Sequence, residues 1–123
     1  MGLKITGTGS SIPKIIQEND SFSDHNFYDI DGKKIEVENQ TIIEKFKSIT
    51  GIRQRKYALP NQNTSDLAFE ASEIAINDAK IDPETLDYII LAHNFGDISS
   101  NSNQPDTLPS VASRVKAKLK IKN

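Results

Sequence analysis

The side chains best suited to chemistry in this 123-residue sequence fall into a few small groups. Gly7-Thr8-Gly9-Ser10 is a glycine-rich turn of the kind that can cradle phosphate. It lacks the Gly-Lys-Ser/Thr ending of a phosphate loop and the third glycine of a dinucleotide fingerprint, so a tight strand-to-loop turn is the favoured reason for it. Arg53, Arg55 and Lys56 place three cations within four residues, a density that suits phosphate, although such runs more often make a solvated or ion-paired strand face. The final run carries Arg114, Lys116, Lys118, Lys120 and Lys122. Their alternating placement at the C-terminal end of a helix, in an acidic chain, favours a solvated cationic helix end over a nucleic-acid tail. His25 and His93 are the two histidines and lie far apart in sequence, so a metal site would have to rely mostly on carboxylates. There is no cysteine. That excludes a disulfide scaffold, a thiolate metal site and a cysteine nucleophile within these residues. No residue of the chain is therefore assigned a catalytic, cofactor-binding or metal-binding role.

Composition narrows the partners further. The formal net charge is −2 and the pI about 5.6, which argues against a general binder of nucleic acid or anionic membranes. Hydrophobic residues make up 36% of the chain and mean hydropathy is −0.50, lean core material for one domain of this length. Either long polar loops dilute the core, or the chain leans on something outside this sequence. No apolar run approaches the roughly 18 residues of a membrane span, and no signal-peptide stretch opens the chain. A soluble cytoplasmic protein is the expectation. Met1-Gly2-Leu3-Lys4-Ile5-Thr6 fits the loose N-myristoylation pattern, but an opening strand explains it better. Asn19-Asp20-Ser21, Asn39-Gln40-Thr41 and Asn63-Thr64-Ser65 match the glycosylation sequon, which carries no meaning without a secretory signal.

The positioning elements follow from periodicity. Residues 3–8 alternate apolar and polar and predict a first strand that runs into the glycine turn, with Pro13 ending the segment. Between 19 and 40 the chain is polar, and Asp31-Gly32 sits between 26–30 and 33–37, a strong hairpin signal that reads as a surface insertion. Ile42, Ile43 and Phe46 predict a short helix over 41–48, closed by Gly51 as its C-terminal cap. An extended piece over 52–57 follows. Residues 65–79 predict a long helix, with Asn63 or Thr64 as its cap and Asp66 at the positive end of its dipole. Ala68, Ala71, Ala75 and Ala79 form a stripe of small residues that lets another backbone come close, and Leu67, Phe69, Ile74 and Ile76 widen the apolar surface. That width predicts a helix sandwiched between layers. Pro83 starts a brief helical turn. The apolar run 88–92 predicts a strand buried on both faces, with His93 at its end. A long polar loop over 94–107, including Ser99-Ser100-Asn101, precedes a last helix with Leu108, Val111, Ala112, Val115 and Leu119 on one face. No final strand completes the β-α pattern, so the chain reads as cut.

Strands alternating with helices predict an α/β layered sheet. Within that frame Ile5-Thr6-Gly7-Thr8-Gly9-Ser10 and Thr50-Gly51-Ile52-Arg53-Gln54-Arg55 resemble the opening of the 3-oxoacyl-[acyl-carrier-protein] synthase III family. So do Pro60-Asn61 ahead of the alanine-striped helix, the apolar run 88–92, and Leu108-Pro109-Ser110 ahead of a helix ending in Leu-Lys-Ile. The matches keep their order and span nearly the whole chain outside two insertions, at about 20–40 and about 94–107.

The resemblance implies a thiolase-like fold of stacked α-β-α-β-α layers, of which residues 1–123 would be a partial N-terminal half with a mixed sheet and layered helices. It implies a decarboxylating Claisen condensation that joins an acyl thioester to malonyl-acyl-carrier protein in fatty-acid or polyketide-type synthesis. That chemistry needs a thiolate nucleophile and backbone N–H groups for the oxyanion. The resemblance places the catalytic Cys, His and Asn beyond Asn123, so this stretch alone is expected to be inactive. Acyl-carrier protein and an acyl thioester are the implied partners and a homodimer the implied assembly, with neither nucleic acid nor membrane. The long loop falls near the dimer interface and acyl pocket of relatives. Ile49 stands where the family has a CoA-contacting arginine and Lys45 where it has an adenine-stacking tryptophan. Isoleucine neither pairs with phosphate nor stacks on a base, so a carrier-protein-bound or unusual acyl donor is expected in place of acetyl-CoA. A non-catalytic carrier-protein-binding or assembly subunit is the alternative. A nucleic-acid-binding domain built on residues 114–122 is the third class.

Overall fold

The computed structural model describes residues 2–98 and 102–123. Backbone proximity divides the chain into two units, one comprising Lys14–Tyr57 and the other the segments up to Pro13 and from Ala58 onward.

The Lys14–Tyr57 unit is a two-stranded ribbon with one helix. Strand β1 (Ile15–Glu18) pairs antiparallel with β2 (Gln54–Tyr57), Ile15 opposite Tyr57 and Glu18 opposite Gln54. A 3-10 turn over Asn19–Phe22 leads away from β1. The expected hairpin forms as a tight turn with a single bridge, Tyr28 to Lys34. Asp29 organises it: its carboxylate accepts from the N–H groups of Asp31 and Lys33, both at 2.9 Å, while Gly32 takes φ +76°. Helix α1 (Asn39–Thr50) buries Ile43 and ends on Gly51 at φ +69°, the cap that the sequence predicts. Phe46 on α1 meets Phe22 and Phe27 edge-on, at ring separations of 6.0 and 5.7 Å. Such aromatic pairs each contribute about 0.5–1.5 kcal/mol beyond simple burial.

The second unit is built on α2 (Thr64–Ala79). Asn63 and Asp66 form the capping box that its first turn needs. Helix α3 (Val111–Lys118) packs against α2, and the buried apolar side chains Val111, Val115 and Ile121 lie on or just after it. Ser110 caps α3 by accepting from the Ser113 N–H. A 3-10 turn over Pro83–Thr85 starts on Pro83 as expected, with the Asp82 carboxylate accepting from Glu84 N. Lys80 and Lys120, just past the ends of α2 and α3, are the two non-glycine residues at positive φ among those described, at 55° and 60°.

The alanine stripe finds its backbone partner within the same unit. Residues 7–9 lie directly on α2. A Cβ on Gly7 would stand 2.6 Å from Ala79 N and 2.8 Å from Ala79 Cβ. One on Gly9 would stand 2.6 Å from Ala75 N and 3.0 Å from Ile74 Cβ. Neither glycine has positive φ. The glycine turn is thus explained by room for close approach, not by the strand-to-loop turning expected from sequence. Thr8 N donates to Asp78 Oδ2 at 2.9 Å and Ser11 Oγ to Glu70 Oε2 at 2.6 Å, pinning the segment along the helix.

Two expected strands are corrected. Residues 3–8 and 88–92 belong to no ladder, and Leu3, Ile5, Tyr88 and Ile90 are 77–101% exposed. A strand's N–H and C=O groups must bond to a neighbouring strand, and neither run has one among the described residues. The extended piece over 52–57 shortens to β2, and its partner β1 is a strand the sequence did not suggest. Helix α2 is half-buried instead of sandwiched, with Ile74 49% exposed. The 94–107 loop is not structureless. Asp97 and Asp106 form an antiparallel bridge across it, while the Ser99-Ser100-Asn101 stretch lies outside the described residues.

Because the seam at Gly9 admits no side chain, Gly9→Ala should destabilise the protein by about 1–3 kcal/mol through overpacking. Gly2→Ala, where nothing lies within 4 Å, should change little. Urea unfolding of the two variants beside the parent checks this; equal midpoints for all three would show that the seam can relax.

Candidate functional site

The densest polar constellation in the Ala58–Asn123 unit is where the start of α2, the bridge of the long loop and the first turns of α3 meet. At its centre is Asp97, 3% exposed. Helix α2 needs partners for its first N–H groups, which have no carbonyl a turn earlier. Asn63 satisfies one through the capping box, and the Asp97 carboxylate accepts the Ser65 N–H at 2.8 Å. Thr64 Oγ1 donates to the carbonyl of Gly96 at 2.7 Å. The Gly96 N–H donates to His93 Nδ1 at 2.8 Å.

Arg114 on α3 closes the arrangement. Its Nη1 lies 3.2 Å from Asp97 Oδ2 and its Nη2 2.8 Å from Asp106 Oδ2. Nε donates to the Pro109 carbonyl at 2.9 Å and Nη2 to the Leu108 carbonyl at 3.0 Å. One guanidinium therefore holds four acceptors, using the fork geometry that lysine lacks. The hydrogen bond that Arg114 donates to Asp106 raises its pKa above the ordinary value, against a smaller effect of desolvation, so the group stays cationic.

Beside it, Lys118 Nζ sits 2.6 Å from Asp66 Oδ1. The Lys118 hydrogen bond, followed by the Asn63 N–H, holds the Asp66 carboxyl below its ordinary value of 3.8. Every polar atom of Asp97 that could act as a base is already occupied by a donor. The constellation positions backbone: both carboxylate oxygens of Asp97 and the fork of Arg114 are taken up in holding the start of α2, the loop bridge and α3 together.

The remaining expected candidates disperse. Arg55 turns inward within its own unit: Nη1 donates to Asn19 Oδ1 at 2.7 Å, and the guanidinium lies over the Phe22 and Phe46 rings at 5.2 and 5.6 Å. Lys56 occupies the opposite face of β2 by strand alternation, so the three cations do not converge. His25 stacks edge-on against Phe22, in the unit that does not contain His93. Among the described residues no group of three or more metal-ligating side chains comes together. The basic run is drawn into internal pairs: Arg114 and Lys118 as above, and Lys116 with the Asn123 carbonyl. Lys45 and Ile49 lie one turn apart on α1 and are exposed, Ile49 by 78%. A shallow cleft lined by Leu86, Tyr88, Ile89, Ala112 and Ile121 opens beside α3. Sequence reasoning missed Asp97, Asp106 and Asn19, whose roles are tertiary and leave no periodic signal.

No protein-family model matches the chain. Individual curated proteins do. The chain is 35% identical over 121 residues to a beta-ketoacyl-[acyl-carrier-protein] synthase III of Ehrlichia ruminantium (strain Gardel). It is 37% identical over 119 residues to the Staphylococcus haemolyticus protein of that name, and 34% identical over 119 to synthase III 1 of Vibrio cholerae. These alignments cover 97–98% of this chain. They assign it to the thiolase-like class, with which three helices and a two-stranded sheet are compatible as part of an α/β domain. The chain belongs to the beta-ketoacyl-[acyl-carrier-protein] synthase III family. It spans 31% of the length of these relatives.

The Asp66–Lys118 pair has a defined pH signature. A lowered folded pKa means that its contribution is present above the unfolded pKa and disappears as pH falls through the folded one. With both side chains about a third exposed, Lys118→Ala should cost only about 0.2–1 kcal/mol at pH 7. The difference from the parent should vanish below the Asp66 pKa. Melting curves from pH 7 downward check this; a difference that persists at the acid end would assign the effect to packing of the lysine stem.

Proposed function

We propose that these residues serve as a partial N-terminal half, with a mixed sheet and layered helices, of a decarboxylating Claisen-condensing enzyme. The reaction joins an acyl thioester to malonyl-acyl-carrier protein in fatty-acid or related synthesis. The observation that carries the reading is alignment of nearly the whole chain, at 34–37% identity, with proteins named as synthase III. Surface area supports the half-domain reading. The accessible surface is 9813 Å², against the roughly 6,600 Å² expected for a folded monomer of 13.7 kDa. The exposed runs at 3–5 and 88–90 supply apolar surface that further protein would cover. With no cysteine among the 123 residues, the thiolate must come from outside them, so this stretch alone does not condense. A cytoplasmic homodimer that engages acyl-carrier protein completes the proposal.

The test begins with the intact mass of the endogenous protein that carries this sequence. A chain more than twice this length, with a cysteine whose alkylation abolishes condensation, is the expected result. A mass of 13.7 kDa would replace the reading with a non-catalytic carrier-protein-binding or assembly subunit, which the missing cysteine also suits.

Donor choice gives a second test. The exposed Lys45 and Ile49 offer neither a stacking ring nor a phosphate-pairing guanidinium, which favours a donor other than acetyl-CoA. In the full-length enzyme the Lys45→Trp, Ile49→Arg double variant should lower the KM for acetyl-CoA by roughly tenfold, the equivalent of about 1.4 kcal/mol. An unmodified protein that already binds acetyl-CoA through Lys45 would refute the donor argument.

A further inference from the structure

We propose that Arg114 and Asp97 form a latch that makes release of the arm 106–109 and fraying of the first turn of α2 a single event. The argument rests on where each bond of Asp97 goes. One carboxylate oxygen accepts the Ser65 N–H at the start of α2, and the other accepts from Arg114 on α3. Its main-chain carbonyl accepts the Asp106 N–H at 2.7 Å, which closes the bridge across the loop. Three elements thus share one residue that is almost fully buried.

Arg114 supplies the hold on the far side. Beyond Asp97 it binds the Asp106 carboxylate and the carbonyls of Leu108 and Pro109, so the loop's second arm is tied to α3 at three further points. Releasing the arm breaks these bonds together, because a single planar guanidinium makes them all. Asp97 then loses its cation and its bridge. A nearly buried carboxylate without a cation is costly, so it turns to water and leaves Ser65 N without its acceptor. Asn63 and Asp66 still cap the neighbouring N–H groups, so the consequence is confined to the first turn. The role of Arg114 is positional, since four of its N–H donors are engaged in holding these elements together.

Amide hydrogen exchange on the full-length protein reads the latch directly. The Ser65 and Asp106 amides report its two sides, and the Gly51 amide, bonded to the Lys47 carbonyl in the other unit, reports unrelated stability. In Arg114→Gln, Ser65 and Asp106 should exchange faster by the same factor, roughly tenfold or more, while Gly51 is unchanged. Arg114→Lys, which keeps the charge but not the fork, should fail to restore either amide. Asp106→Asn removes a single exposed partner and should accelerate both amides together by a smaller factor; it decides the matter if the arginine variant does not fold. Loss of protection at Asp106 with Ser65 unaffected, in either variant, would overturn the coupling. So would protection unchanged at both.

Discussion

The arrangement of the Ala58–Asn123 unit depends on one steric constraint: backbone meets backbone between residues 7–9 and α2, with no side chain between them. Gly7 and Gly9 contribute nothing on one side, and Ala71, Ala75 and Ala79 contribute at most a methyl on the other. At such separation, dispersion is gained between main-chain atoms, and small positional errors become clashes. The polar contacts along the seam, Thr8 N to Asp78 and Ser11 to Glu70, fix the register of the segment along the helix. A chain without glycine at both places would have to lift its N-terminal segment off α2 and lose those bonds with it.

Polar saturation does for the other end of α2 what steric fit does for its middle. Asn63, Asp66 and Asp97 between them meet N–H groups that the helix cannot satisfy itself, and Arg114 and Lys118 on α3 neutralise two of those three acceptors. Helix packing and helix capping are therefore carried by the same pair of elements. In the Lys14–Tyr57 unit, Arg55 plays a comparable part on an aromatic background, closing Asn19 against Phe22 and Phe46. In both units arginine is spent on organising the fold. Of the basic residues that looked available for phosphate or nucleic acid, Arg55, Arg114, Lys116 and Lys118 are committed to partners within the chain.

Legibility from sequence divides along the way each element satisfies its backbone. The three helices, the Gly51 cap, the Asn63–Asp66 capping box and the Pro83 turn were readable because their hydrogen bonds close within a few residues of the signal. The hairpin turn was readable for the same reason. Strands were not. Residues 3–8 and 88–92 carry strand composition but have no ladder, whereas β1 has a ladder but little pattern, since Ile15 and Ile16 are adjacent and both solvent-accessible. A strand is defined by its neighbour, and one chain's periodicity does not contain the neighbour. The alanine stripe lies between these cases: the need for a close backbone was legible, its source at Gly7 and Gly9 was not. The family was legible from an ordered set of short matches, and the Asp97–Arg114 constellation left no trace in spacing at all.

The two helix ends at Lys80 and Lys120 have a consequence for behaviour in salt. Each lysine adopts the left-handed conformation that glycine takes freely, at a cost of about 1 kcal/mol. A cation just past the last carbonyls of a helix recovers about 0.3–1 kcal/mol from the helix dipole, but only while that interaction is unscreened. The conformational cost does not depend on ionic strength and the electrostatic return does. As salt rises toward 1 M and the screening length contracts to about 3 Å, the ends of α2 and α3 are left with the strain alone. Halide or sulfate concentration thus acts on this protein at its helix C-termini, while the largely buried contact between Arg114 Nη1 and Asp97, at the opposite end of α2, is screened much less.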